Sequence, residues 1–184
     1  MTSRRIISLL ILAVVIASVL EPTRAAEPFL VELSDGARLE LTLPDHWKAK
    51  PEVSGGATTL ELTPTDRRDF VVLLTTFVLP PGSPLSTEEN FKKTIEQRGN
   101  LELAGALQSS LELTEIKGEH SLIYLYHLTD RNPERGPGDY REAHQGGVLL
   151  GTHFASVTIL THPGDDAIVN QAIEVLESAT ILGE

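Results

Sequence analysis

Histidines are the residues of this sequence whose chemistry could most readily build a site, and there are six of them. They are His46, His120, His127, His144, His153 and His162. None forms a local H-x-H or H-x-x-x-H pair, and three ligands would have to converge from distant positions to hold zinc. His120 and His127 should project from opposite faces of one predicted strand, and a turn near Gly151 would hold His144 far from His153. The sequence therefore predicts no metal site.

Other reactive residue types lack the pattern that their chemistry needs. Ser54 before Gly55 does not form the G-x-S-x-G elbow of a serine hydrolase. Gly146-Gly147 lies within a predicted strand with no helix after it, which indicates a bulge or a close backbone approach. Asp165-Asp166 and Glu88-Glu89 fall at predicted helix starts, where capping and the helix dipole account for them. The chain has no cysteine, which excludes thiol redox chemistry and thiolate metal sites. We predict no catalytic residue, no cofactor-binding residue and no cofactor.

His46-Trp47 is the one position that suggests a ligand. Trp47 follows a predicted strand and could close the end of the core, with its ring buried and its indole N–H hydrogen-bonded. Alternatively, it could line a ligand groove beside Tyr140. The first interpretation is favoured because tryptophan is mostly buried, and ligand-binding residues otherwise stay unassigned.

The first residues resemble an export signal. Arg4 and Arg5 precede the apolar stretch Ile6–Leu20, and Thr23-Arg24-Ala25 offers a cleavage site before Ala26. We predict that residues 1–25 form a cleaved signal peptide and that 26–184 form a single domain, periplasmic or secreted, without a stable membrane anchor after cleavage. A retained anchor is the alternative, although the stretch is short for a bilayer span. General secretion is favoured, and Ser3-Arg4-Arg5 keeps twin-arginine export as an alternative.

The charge of the chain limits its partners. The net charge is −11; loss of residues 1–25 would remove three arginines and one glutamate, which makes it −13. Such a protein repels nucleic acid and anionic lipid, so we predict no nucleic-acid partner. The acids are scattered, which is typical of a solvated surface.

The first half of the predicted domain consists mainly of strands. Phe29–Leu33 and Arg38–Leu43 alternate apolar with polar residues, and Asp35-Gly36 between them favours a tight hairpin turn. A looser stretch is expected up to Gly56, followed by a strand over Thr58–Thr63. The apolar stretch Phe70–Leu79 is predicted to form a further strand.

A helix is predicted to begin at Ser86, with Glu89 completing a capping box, and to end at Gly99. Leu101–Leu107 predicts a second short helix with Leu103, Ala104 and Leu107 facing inward. After that the sequence predicts a hairpin of Leu111–Ile116 with Ser121–Thr129, followed by a loop over Arg131–Asp139. Tyr140–Leu150 and His153–Thr161 are then predicted to form paired strands. The chain is predicted to end in a helix whose buried residues are Ile168, Ala172, Val175, Leu176 and Ala179.

Two strands define the expected architecture. Phe70–Leu79 and Leu122–Leu128 have no polar face, which is typical of strands covered on both sides. We therefore predict an α+β fold, a mostly antiparallel sheet with helices on both faces, as in an α/β/α sandwich.

The order of elements resembles the PsbP-like α/β/α sandwich family. The matching features are Leu43-Pro44-Asp45-His46-Trp47 after the first hairpin, the helix from Ser86, and Thr158–Thr161 before a final helix. The resemblance would cover Pro28 to about Leu182. It implies a fold and a tendency toward binding roles, with exported bacterial members of unknown role and chaperone-like members, and none is an established enzyme class. The functional residues of the photosystem members have no counterpart here.

Two functional hypotheses follow. The first is a non-enzymatic exported protein that binds or assists another envelope protein; an apolar groove left open on the sheet would be its structural sign. The second is a small-ligand carrier or an unrecognised hydrolase, which requires a concave pocket with converging polar groups.

Overall fold

The structure is a computed structural model that describes residues 28–67, 69–132 and 139–183. The predicted signal peptide, its cleavage site and most of the predicted loop Arg131–Asp139 lie outside the described residues. Ten strands and two α-helices are described in this part of the chain. The strands are β1 (Pro28–Glu32), β2 (Arg38–Thr42), β3 (Trp47–Ser54), β4 (Ala57–Pro64), β5 (Val71–Val78), β6 (Leu113–Lys117), β7 (Leu122–Thr129), β8 (Glu142–Leu150), β9 (His153–Thr161) and β10 (Thr180–Leu182), and the helices are α1 (Glu88–Glu102) and α2 (Asp166–Glu177).

Seven strands form the main sheet, in the order β3-β4-β5-β9-β8-β7-β6, and every neighbouring pair is antiparallel. The predicted α+β class with a mostly antiparallel sheet is confirmed, and strands outweigh helices in it. The predicted hairpins β6-β7 and β8-β9 are both present, the second turning at Gly151 with a positive φ of 57°.

A separate three-stranded sheet contains the first hairpin, in the order β1-β2-β10. Gly36 turns this hairpin with a φ of 89°, as the Asp35-Gly36 pair predicted. The third strand, β10, follows α2 and pairs Ile181 with Leu39. The last strand of the described chain is therefore hydrogen-bonded to the second strand of the first hairpin.

The core consists of two hydrophobic clusters on alternate residues of β7. Ile123 and Leu125 belong to the larger cluster, which also holds Leu39 and Leu41 of the small sheet and the buried side of α2. All five residues predicted to face inward near α2 are buried in that cluster. Tyr124 and Tyr126 belong to the smaller cluster, with Phe91 and Ile95 of α1.

Helix α1 differs from its prediction at both ends. The N-cap is Thr87 rather than Ser86: the Thr87 side chain accepts a hydrogen bond from the Asn90 N–H at 3.4 Å, whereas the Ser86 hydroxyl donates to the Ser83 carbonyl at 2.7 Å. The helix also continues through Gly99 to Glu102. Gly99 is a packing residue, because a Cβ there would lie 2.7 Å from the Leu111 side chain.

The predicted short helix over Leu101–Leu107 is wrong. A single 3₁₀ turn, Leu103–Gly105, follows α1, and Ala104 is exposed. Leu107 is 55% exposed, whereas Ala106, which the helical spacing did not select, is buried. A 3₁₀ turn rotates side chains differently from an α-helix, so the α-helical spacing selected the wrong residues.

The predicted loose stretch before Gly56 is also wrong, since it forms strand β3. This strand lies at the edge of the main sheet, where proline is tolerated. Pro51 pairs with Leu60 of β4, and most of β3 is exposed. An exposed edge strand lacks the alternating apolar pattern by which strands are recognised in a sequence.

Candidate functional site

The two apolar strands that define the predicted architecture are buried differently. Strand β7 is buried on both faces, as predicted, but β5 is not. Val72, Leu74 and Thr76 of β5 are buried, whereas the residues between them are half-buried or exposed. The prediction that both faces of β5 are covered is therefore wrong.

The cause is the size of the covering element. Seven strands spaced about 4.8 Å apart span roughly 29 Å, whereas one helix covers about 10 Å. On the Tyr124 side of the sheet α1 contacts β7 and β8. Strands β9, β5 and β4 on that side are left half-covered.

We call the uncovered residues of β5 and β9 the open strip. It consists of four cross-strand pairs: Val71 with Leu160, Leu73 with Thr158, Thr75 with Ser156, and Phe77 with Phe154. Each member is half-buried except Phe77, which is 41% exposed. The Phe77 and Phe154 rings stack with centroids 6.3 Å apart, and Phe154 also meets Phe91 of α1 edge-on at 5.9 Å. The strip thus extends from the start of α1 across the middle of the sheet.

A cavity of about 500 Å³ lies at the Leu160 end of the strip. The lining residues lie at the end of α1 and in the turn after it, at the C-terminal end of β7, at the N-terminal end of β8, and in the segment that precedes β8. Apolar atoms come from Leu128, Ala106, Ala143 and Leu160, and the charged lining residues are Glu102, Asp130, Asp139, Glu142 and Arg141. The volume falls within the range of small-molecule sites, about 300 to 1,000 Å³.

Glu102 is held at the wall of this cavity by several hydrogen bonds. Its carboxylate accepts a hydrogen bond from the Tyr126 hydroxyl at 3.0 Å and one from Arg98 Nε at 3.2 Å. With its amide nitrogen turned toward Glu102, Gln145 donates at 3.0 Å as well. Burial, and then the charge of Glu102, raise the pKa of the Tyr126 phenol. Tyr126 therefore remains a donor, and the carboxylate is held in one orientation.

Tyr140 lines both this cavity and a second depression on β4 and β5. Its ring is 5.9 Å from that of His162, and burial raises the pKa of its phenol. Arg67 lines the second depression and forms an ion pair at 2.7 Å with Asp165, which directly precedes α2. The positive charge of Arg67 is therefore neutralised by Asp165.

The histidines are brought together differently from the prediction. His127 and His144 are directly opposite in the β7-β8 register, and their rings stack at 4.5 Å. His127 Nε2 is also 3.5 Å from the Glu142 carboxylate. Burial, followed by repulsion from His127, lowers the pKa of His144 to about 4. The contact between His127 and His144 follows from the pairing of β7 with β8. The spacing of residues within each strand does not reveal it. In the described ranges, no group of three or more histidine, aspartate or glutamate side chains could hold a metal ion.

His153 connects the two sheets. It is 3% exposed, and its Nε2 lies 3.0 Å from the Asp35 carboxylate in the β1-β2 turn. Partial burial would raise the pKa of Asp35, but hydrogen bonds from Ala37 N–H and His153 lower it overall. As predicted, His153 lies far from His144, because it pairs with Leu150 at the other end of β8.

Trp47 packs in the core, as the favoured interpretation predicted. It is 6% exposed and meets Phe70 edge-on at 5.7 Å. Its predicted hydrogen bond is wrong, since Nε1 has no partner among the described atoms. Tyr140 lines the depressions on the α1 side of the sheet, and Trp47 is absent from their linings. The groove imagined between these two residues does not form in the described structure.

The remaining candidates have structural roles. Glu88, Glu89 and Asp166 occupy first helical turns, as predicted. Asp165 is the N-cap residue of α2, but its carboxylate accepts from the Thr161 hydroxyl at 2.8 Å instead of capping the helix. Ser54 ends the edge strand β3. Of the two predictions for Gly146-Gly147, a bulge or a close backbone approach, the second is confirmed at Gly146, where a Cβ would overlap the backbone carbonyl of Tyr124. A Cβ on Gly147 would lie 2.6 Å from the Phe154 side chain and 3.1 Å from that of Phe91.

Among the described residues, no helix has both the length and the apolar character that crossing a membrane requires. No protein-family model and no curated protein matches the chain. The chain is similar to a crystal structure from Bacteroides thetaiotaomicron VPI-5482, with 12% identity and a TM-score of 0.53. The match covers 87% of this chain and 50% of that one, so the chain spans half the length of the similar structure. Such a likeness concerns the fold alone, and the PsbP-like resemblance stays a prediction.

Proposed function

We propose that this chain is an exported, non-enzymatic module that binds a segment of another envelope protein along the open strip. The observation that carries the proposal is the incompletely covered face of β5 and β9, which presents five apolar side chains (Val71, Leu73, Phe77, Phe154 and Leu160) together with three hydroxyl side chains (Thr75, Ser156 and Thr158). Exposed apolar side chains with polar neighbours are typical of interaction sites. The PsbP-like resemblance favours the same kind of role.

We also infer that the helices cover opposite faces of the main sheet, as in an α/β/α sandwich. Alternate residues of a strand project to opposite faces. Tyr124 and Tyr126 pack with α1, whereas Ile123 and Leu125 belong to the cluster that includes α2. The open strip would then be the part of the α1 face that α1 is too narrow to reach.

The proposed partner is a segment with apolar side chains and a basic residue at one end. The apolar side chains suit Val71, Leu73 and Phe77, which project in line from β5. The basic residue suits the Leu160 end of the strip, where four acids and one arginine line the cavity. The net charge of −11 would draw a basic segment toward the chain and repel an acidic one.

Site-specific photo-crosslinking in the exporting cell tests the proposal. A photoreactive phenylalanine analogue replaces Phe77, which is 41% exposed, and in a matched control it replaces Leu30, which is 48% exposed on the small sheet. We expect a discrete adduct with one protein from position 77, absent from position 30 and lost when L73K is added. Adducts of equal intensity from both positions would overturn the proposal. An adduct with a second copy of the chain would also overturn it, in favour of self-association.

The small-ligand carrier, the second hypothesis, is favoured by the cavity at the end of the strip.

A further inference from the structure

We infer that the cavity beside Glu102 binds a small organic cation, an ammonium group on an apolar stem. The cavity adjoins the open strip and is also where the basic residue of the proposed partner would lie, so the inference deepens that end of the proposed site; it does not require protein binding along the rest of the strip.

The position of Glu102 is the first step of the argument. Glu102 is the last residue of α1. The C-terminal end of a helix carries partial negative charge, which disfavours a carboxylate there. Hydrogen bonds from Arg98, Tyr126 and Gln145 offset this cost and hold the carboxylate at the wall of the cavity. Only Arg98, one turn earlier and half-exposed, offers an opposite charge to Glu102 within the helix.

The second step is how the carboxylate is held. Tyr126 is 1% exposed, and its hydroxyl donates to Glu102 Oε2, while Arg98 donates to Oε1. A carboxylate has about four acceptor positions, about two on each oxygen. Tyr126 donates to Oε2 and Gln145 makes its shorter contact, 3.0 Å, with the same oxygen, so Oε1, which accepts from Arg98, is the oxygen that keeps a position for a further donor. Because Tyr126 and Gln145 set the orientation in advance, a ligand would not have to order this side chain, and that lowers the cost of binding.

The third step is the rest of the lining. Leu128, Ala143 and Leu160 supply an apolar wall that suits a short hydrocarbon stem. Among the described lining residues, four carboxylates accompany the one guanidinium group of Arg141, a balance that disfavours an anionic headgroup. A neutral ligand would gain the apolar contacts but no charge-assisted hydrogen bond. These features together select a cation with an apolar stem.

Isothermal titration of the purified chain with three probes of equal stem length tests the inference. The probes are octylamine, octan-1-ol and octanoate at pH 7.5. We expect octylamine to bind, octan-1-ol to bind about tenfold more weakly, and octanoate not to bind, since a charge-assisted hydrogen bond gives about that ratio. Equal binding of octylamine and octan-1-ol would overturn the inference, as would binding of octanoate or no binding of octylamine.

Two variants tie the binding to this cavity. E102Q should weaken octylamine binding about tenfold or more, whereas E112Q, the same change of charge at an exposed glutamate, should leave it unchanged. A143L should block the cavity and abolish binding, which keeps the test decisive if E102Q fails to fold. Octylamine binding that survives A143L would overturn the assignment to this cavity. The crosslinking at Phe77 reports on the open strip, so failure of either proposal is distinguishable from failure of the other.

Discussion

Acid should destabilise this protein through the stacked pair His127–His144. The pKa of His144 in the folded protein is about 4, against an ordinary value of 6.5. The causes are burial and then repulsion by His127 on β7, and Asp166 of α2 opposes them. Glu142, the other charged group beside the pair, lies 3.5 Å from His127.

The direction follows from proton binding. Between pH 6.5 and 4 the unfolded chain takes up a proton at position 144 that the folded protein refuses, so stability falls as the pH falls through this range. The two pKa values limit the loss to about 3 kcal/mol. At pH 4.5 the free energy of unfolding should be roughly 2 to 3 kcal/mol lower than at pH 7.5 from this group alone.

Urea unfolding at the two pH values measures this loss, and two variants isolate it. H144Q removes the titrating group and should reduce the pH dependence by roughly 2 to 3 kcal/mol. H120Q removes an exposed histidine, with 62% of its side chain accessible, and should leave the pH dependence of the parent chain. Parallel pH profiles for H144Q and the parent would refute the reasoning, because the burial and stacking of His144 would then have no effect on its proton.

Three further outcomes are expected. G147A should destabilise the protein by about 1 to 3 kcal/mol in urea unfolding because its Cβ would overlap two aromatic rings, whereas G105A, with open space around it, should not; equal effects would contradict this packing. T87A should cost about 1 kcal/mol through loss of the helix cap, more than S86A, and the reverse order would place the cap at Ser86. Expression of the full chain in an exporting cell should yield a protein whose N-terminal sequencing begins at Ala26, and recovery of an intact Met1 would contradict cleavage.

Local patterns in the sequence predicted most of the secondary structure. The Asp35-Gly36 turn, both later hairpins and the buried stripe of α2 were all predicted correctly, because each depends on neighbouring residues. The errors lie where distant packing prevails over a local signal. Gly99 has the type of residue that ends helices, yet Leu111 packs against it and the helix continues.

The candidate site was much less predictable than the fold. Glu102 lies in a stretch that α-helical spacing misassigned, and its partners Tyr126 and Gln145 come from two different strands. The pairing of His127 with His144 depends on the register between β7 and β8. To derive the contacts of Glu102 or the His127–His144 pair from the sequence, the turns at both ends of these strands would have to be placed correctly.

The sequence by itself determined which segments are strands with two apolar faces, because side-chain alternation is a property of consecutive residues. Whether water reaches one of those faces was decided by the tertiary structure alone. In the described part of the chain one helix, α1, packs on the Tyr124 side; it is too narrow for a seven-stranded sheet, and its main contacts are with β7 and β8. The open strip and its cavity exist because coverage depends on where a helix packs, and that position is a property of the assembled chain.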